Sequence, residues 1–177
     1  MAVSLFVIGL ASGLFLPVGV TDIVAGDVDA LGELAQWLVS LPRPLVALVI
    51  FLRNVIVMGL SFILSPILCL MPVLSLLLNG WVIVIVSAAL VRWESLSFVL
   101  AGLLPHGIIE IPAYLIGQAA ALSSGAAIIL ALFKKDRRDN LWPILKTNLK
   151  YLLLAVILLL PAAVIEVYVT PWVLSMV

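Results

Sequence analysis

Six polar side chains stand in stretches that are otherwise apolar: Arg53, Asn54, Asn79, His106, Glu110 and Glu166. Their types suit ion pairing, proton relay and metal ligation. His106 and Glu110 are four positions apart, so a helical turn carries both on one face. With Glu166 as a third donor, the imidazole and carboxylate could ligate a metal. A lone His-x-x-x-Glu is thin support for that, because established sites have more ligands at fixed spacing. A hydrogen-bonded cluster of His106, Glu110 and Arg53 is the preferred expectation, with no metal and no cofactor. A charge at the centre of a bilayer costs about 2.5–3.5 kcal/mol, so each group should face a bundle interior or a wet cavity. Two accounts stay open. Arg53 pairs with one or both glutamates and fixes the register of the helices, or the groups form a substrate, ion or proton site.

The bilayer enters this argument through composition. Of 177 residues, 66% are hydrophobic and 10% charged, against about half and about a quarter in a soluble domain. A soluble globule of this size has no interior large enough for that much apolar surface. Nine basic and nine acidic residues give zero net charge, which disfavours nucleic acid as a partner. The hydrophobicity excludes disorder. A single cysteine, Cys69, forms neither an internal disulfide nor a structural zinc site alone. The expected class is all-α: a polytopic membrane helix bundle in one transmembrane domain, 1–177.

Charge-free gaps count the spans, since a crossing helix needs about 20 mostly apolar residues. Residues 2–20 give the first, and no lysine or arginine precedes them as a signal peptide would require. The stretch 44–90 is too long for one crossing and contains Pro66 and Pro72, so it divides into spans at about 44–65 and 72–91. A fourth lies within 97–133 and a fifth at 149–169. The basic loop 134–150 carries Lys134, Lys135, Arg137, Arg138, Lys146 and Lys150. The patches 21–43 and 91–96 offer only Arg43 and Arg92. By the basic-loop rule the N-terminus is cytoplasmic and the C-terminus outside. Contact of that loop with anionic headgroups is a plausible further role. In the outer segment, Asp27 caps a short amphipathic helix at about 28–41. Its polar face bears Asp29 and Glu33, and Trp37 sits near the interface. That helix is a solvated linker or an acidic docking surface. Trp93, Trp142 and Trp172 fall near span ends, as interfacial anchors do.

The stretch 97–133 is the most informative. Pro105, Gly107 and Pro112 lie in its outer half, and proline removes a backbone donor and disfavours helix before it. A short segment 97–104, a break near Pro105–Gly107 and a main span at 107–133 are therefore expected. Broken helices with polar residues at the break are how transporters build ion sites. Beyond Glu110, small residues recur at steps of four: Ala113, Gly117, Ala121 and Gly125. Such a stripe is a helix-packing seam.

These residues resemble a known family. Pro105-His106-Gly107-x-x-Glu110-x-x-Ala113, followed by a helix rich in glycine and alanine, is similar to the signature of the stage II sporulation protein M (SpoIIM) family. Phe51-x-x-Asn54, Leu78-Asn79-Gly80 and Ala163-x-x-Glu166-x-x-x-Thr170-Pro171 agree with its pattern. The resemblance covers about residues 44–171, and the first span is only generically similar. It implies a multi-pass plasma-membrane protein. In spore formers, members help to recruit or anchor proteins that degrade peptidoglycan during engulfment; many others occur where no spores are made.

Two functions follow as expectations. One is a non-enzymatic scaffold for membrane or extracytoplasmic partner proteins. The other is a small ion- or solute-transporting protein built on His106, Glu110, Arg53 and Glu166, with a site at a homo-oligomer interface left open. A closed, dry cluster would suit the scaffold, and a wet vestibule would suit transport. An intramembrane enzyme is disfavoured. The sequence has no His-Glu-x-x-His, no Gly-x-Ser-x-Gly and no aspartate within a span, and Ser123 and Ser124 have no base nearby in sequence.

Overall fold

A computed structural model of the chain describes residues 1–15 and 41–177. All regular structure among them is helical. Helix α1 spans Ala2–Leu14, α2 Arg43–Ile63, α3 Leu70–Val91, α4 Leu96–Phe133, α5 Leu141–Tyr168 and α6 Thr170–Leu174. A single 3₁₀ turn, Lys135–Arg137, connects α4 to α5. Helices α2, α3 and α4, and the stretch Leu141–Leu174 through α5 and α6, are each long and apolar enough to cross a bilayer. Helix α1 is apolar and has 13 residues. Phe15 ends it, and 16–20 of the expected first span lie outside the described residues. So do Asp22, Asp27, Asp29, Glu33, Trp37 and all but the last residue of the expected outer helix at 28–41.

Local chemistry sets the helix ends. Pro44 occupies the first turn of α2, where a backbone N–H has no helical partner to lose. Between α2 and α3 the chain reverses through Leu68 and Cys69, at φ 52° and 54°. Left-handed backbone is uncommon without glycine; here Cys69 N–H donates to the Ser65 carbonyl at 3.0 Å. Pro66 lies in this turn, and Pro72 in the first turn of α3, where its missing donor costs little. Ser95 caps α4, its Oγ accepting from Phe98 N–H at 3.1 Å. At the other end, Arg138 Nε donates to the Ala131 carbonyl at 3.1 Å, satisfying an acceptor that the helix terminus leaves open.

The expected break near Pro105–Gly107 is absent. Helix α4 continues for 38 residues through both Pro105 and Pro112, so the expected segment 97–104 and span 107–133 are one element. Each proline forfeits a hydrogen bond and crowds the carbonyl four residues back. A full break would give up several backbone hydrogen bonds at membrane depth, and only those facing the polar cavity could find other partners. Staying helical past the proline is the cheaper outcome. At about 1.5 Å per residue α4 is about 57 Å long, well beyond a hydrocarbon core of about 30 Å, so it tilts or projects past the apolar layer. Helix α5 also starts earlier than the expected span at 149–169. Lys146 and Lys150 therefore stand on a helix rather than in a loop, with Lys146 Nζ 5.3 Å from the Trp142 ring centre, a cation–π distance.

Helices α4 and α5 pack along one another, and α1 packs on α3. Small residues permit the close approaches. A Cβ on Gly9 would strike the Leu77 carbonyl, and one on Gly80 would strike the Phe6 carbonyl and the Leu10 amide. Backbone thus meets backbone where α1 crosses α3. Along α4, Ala113, Gly117, Ala121 and Gly125 are all buried. Gly117 receives the Met58 side chain, and Gly125 receives the Ser65 backbone and the Cys69 thiol. On α2, Leu45, Leu48, Leu52, Ile56, Leu60 and Ile63 remain exposed at helical spacing, an apolar stripe suited to lipid.

Candidate functional site

Five helices bring polar groups to one place. Helix α2 supplies Arg53 and Asn54, α3 Asn79, α4 His106 and Glu110, α5 Glu166 and α6 Thr170. Asn54 Nδ2 donates to Glu110 Oε1 at 3.1 Å, tying α2 to α4. His106 Nε2 stands 4.0 Å from Glu110 Oε2, beyond hydrogen-bond range. The other ring nitrogen, Nδ1, lies 3.4 Å from Thr170 Oγ1. The side chains of His106 and Glu110 are 15% and 30% exposed. Donor atoms of His106, Glu110 and Glu166 all lie within 4.8 Å of one another.

Arg53, Asn54, Asn79, His106 and Glu110 line a cavity of about 220 Å³, with apolar walls from Ile83, Leu103 and Leu159. Gly107, on the turn where a break was expected, contributes to its wall. Pro112 lies on the exposed side of α4. Among the described residues Arg53 has no carboxylate within ion-pair distance. It shares a cavity with Glu110, and the direct pair expected of it is not formed. Glu166 also lines a second cavity, of about 380 Å³, with Arg43, Val46, Ile50, Val167 and Pro171. Arg53 and His106 also line a third cavity, of about 460 Å³, with Phe98, Leu103 and Leu174, so the cluster is bordered by open space on three sides.

Toward the C-terminal half of α4 the interior closes. Gln118 Nε2 donates to Ser61 Oγ at 3.3 Å and to Ser75 Oγ at 3.2 Å, and Ser75 in turn bonds Tyr114. Met58, Ala113, Ala155 and Leu159 form a dry cluster alongside. Further down, Asn148 Nδ2 donates to Ser123 and Ser124, each at 3.0 Å. These bonds link α2, α3, α4 and α5. Gln118 and Asn148 were not singled out from sequence, although lone amides in apolar helices carry the same signal as Asn54 and Asn79. Thr170 entered only within a motif; nothing in the spacing pairs it with His106, 64 positions away.

A family model described as stage II sporulation protein M matches residues 2–171. An uncharacterized protein of Methanocaldococcus jannaschii is 35% identical over 99 residues, which cover 55% of this chain and 56% of the relative. The match thus spans a little over half the length of that relative. No solved structure matches.

Proposed function

Since the chain belongs to the stage II sporulation protein M family, we propose that it is a non-enzymatic plasma-membrane protein that holds membrane or cell-envelope partner proteins. In this reading the N-terminus is cytoplasmic and the C-terminus extracytoplasmic, with Lys134, Lys135, Arg137 and Arg138 on the inner side. The supporting observation is the mutual bonding of interior polar groups across helices. Asn54 to Glu110, Gln118 to Ser61 and Ser75, and Asn148 to Ser123 and Ser124 hold the helices in one arrangement. A rigid set of lipid-facing helices is a platform on which other membrane segments dock by packing.

A second reading is ion or solute transport. It is favoured by the cavity of about 220 Å³ and its polar lining: around His106 and Glu110 the polar groups take the open form expected of a transporter, and the platform reading rests instead on the bonded, closed interior around Gln118 and Asn148. Affinity purification of the full chain from native membranes in mild detergent separates the two, with the membrane proteome of a deletion strain as reference. The platform reading expects the same proteins to co-purify with the chain and to leave the membrane fraction on its deletion. Recovery of the chain alone, an unchanged proteome and solute flux in reconstituted vesicles would overturn it in favour of transport.

A further inference from the structure

We infer that His106, Glu110 and Glu166 form a three-ligand site for a divalent first-row transition metal ion, joining α4 to α5 inside the membrane. This goes beyond the partner-holding reading and does not depend on it.

The argument begins with Thr170. Its single hydroxyl hydrogen goes to the Ile165 carbonyl, 3.3 Å away. Toward His106 Nδ1, at 3.4 Å, the hydroxyl oxygen therefore offers a lone pair. The ring hydrogen of a neutral His106 then resides on Nδ1, and Nε2 presents its own lone pair. That lone pair faces Glu110 Oε2 at 4.0 Å. Two acceptors confront each other, and the third donor, from Glu166, converges on the same point. Arg53 lines the same cavity but stands beyond ion-pair distance of either carboxylate, so two carboxylates and an imidazole lone pair at membrane depth still have a place for a cation directly between them.

Both α4 ligands carry the outer partners that metal ligands need. Thr170 fixes the tautomer and orientation of His106, and Asn54 holds Glu110 through Oε1, leaving Oε2 free to coordinate. Such supports orient ligands and raise their basicity. A tetrahedral zinc about 2.0–2.2 Å from its ligands keeps them about 3.3 Å apart. Closing donor atoms that lie within 4.8 Å takes only small side-chain rotations. One imidazole and two carboxylates suit zinc or a neighbouring transition metal better than calcium or magnesium, which prefer oxygen alone. A fourth position remains for water. The cavity beside Glu166, near Arg43 at the start of α2, borders the site at this third ligand.

The test uses the full chain purified in mild detergent, stripped with chelator and reloaded with zinc chloride or cobalt chloride alone. The expected result is about one ion per chain, with cobalt giving the intense visible bands of a low-coordinate, nitrogen-containing site. His106→Ala and Glu166→Gln each lose at least about tenfold in affinity. Thr170→Val loses about 10–100-fold, because it only releases the ligand's support, and Thr170→Ser restores binding. Absence of zinc binding by the wild-type chain, a pale six-coordinate cobalt spectrum, or unchanged affinity in His106→Ala and Glu166→Gln would each overturn the site. The cobalt spectrum reads the wild-type chain directly, so the test stands even if a variant fails to fold.

Discussion

Glu110→Lys is expected to cut the amount of folded chain in the membrane sharply, and Asn54→Asp in the same chain to restore much of it. Glu110 accepts from Asn54 at 3.1 Å and shares its cavity with Arg53. A lysine at 110 would leave two cations in one intramembrane cavity. It would also remove the acceptor of the Asn54 amide. An uncompensated charge at the centre of a span costs about 2.5–3.5 kcal/mol even on insertion scales, a large part of a typical folding free energy of about 5–15 kcal/mol. Aspartate at 54 would face the new lysine across the same short gap and re-form the contact with opposite polarity. Fluorescence-detected size exclusion of the solubilised variants measures the folded fraction. Equal levels for Glu110→Lys with and without Asn54→Asp would mean that α2 and α4 do not meet at these residues.

The second large effect separates three glycines by what surrounds them. In Gly125→Ala the new methyl meets the Ser65 carbonyl, part of the backbone at the α2–α3 turn. Backbone cannot step aside cheaply, and overpacking of this kind costs about 1–3 kcal/mol. In Gly117→Ala the atoms nearest the new methyl all belong to the Met58 side chain, a flexible chain that repacks, so the loss is smaller. Gly59 has nothing within 4 Å of its missing Cβ. There alanine stabilises by about 0.4–1 kcal/mol, by restricting the unfolded chain. Unfolding in mixed detergent micelles gives the order Gly59→Ala, then Gly117→Ala, then Gly125→Ala, from most to least stable. A neutral Gly125→Ala would place the α4 seam against lipid instead of against Ser65.

Sequence reading placed the second and third apolar spans closely, because the bilayer leaves few choices. Expected spans at 44–65 and 72–91 correspond to Arg43–Ile63 and Leu70–Val91. The polar residues Arg53, Asn54, Asn79, His106 and Glu110 stood out for the same reason, and they line one cavity. What was not legible depends on rotation and tilt. The local preference of proline suggested a break at Pro105, but the membrane's demand for backbone hydrogen bonds outweighed it. Thr170 and His106 meet because α6 continues α5 alongside the first half of α4, and Gly9 meets α3 because α1 crosses Gly80. Those pairings follow from how helices are rotated against one another, which a single sequence does not encode by spacing. The approach of His106, Glu110 and Glu166 was raised as a possibility; what the structure adds is the set of bonds that orient two of the three.

The account rests on a bundle that is open around His106 and Glu110 and closed toward the other side. Thiol accessibility measures this directly, in a Cys69→Ser background with single cysteines placed at Ile83, Ser61 and Ser124. Ile83 lines the polar cavity, whereas Ser61 and Ser124 are only 1% and 0% exposed and serine to cysteine changes their shape little. The account predicts that a small polar thiol reagent labels Ile83→Cys from the side of the C-terminus only, and labels Ser61→Cys and Ser124→Cys from neither side. Labelling of Ser61→Cys or Ser124→Cys from the cytoplasmic side would reveal a polar path through the bundle and contradict the platform.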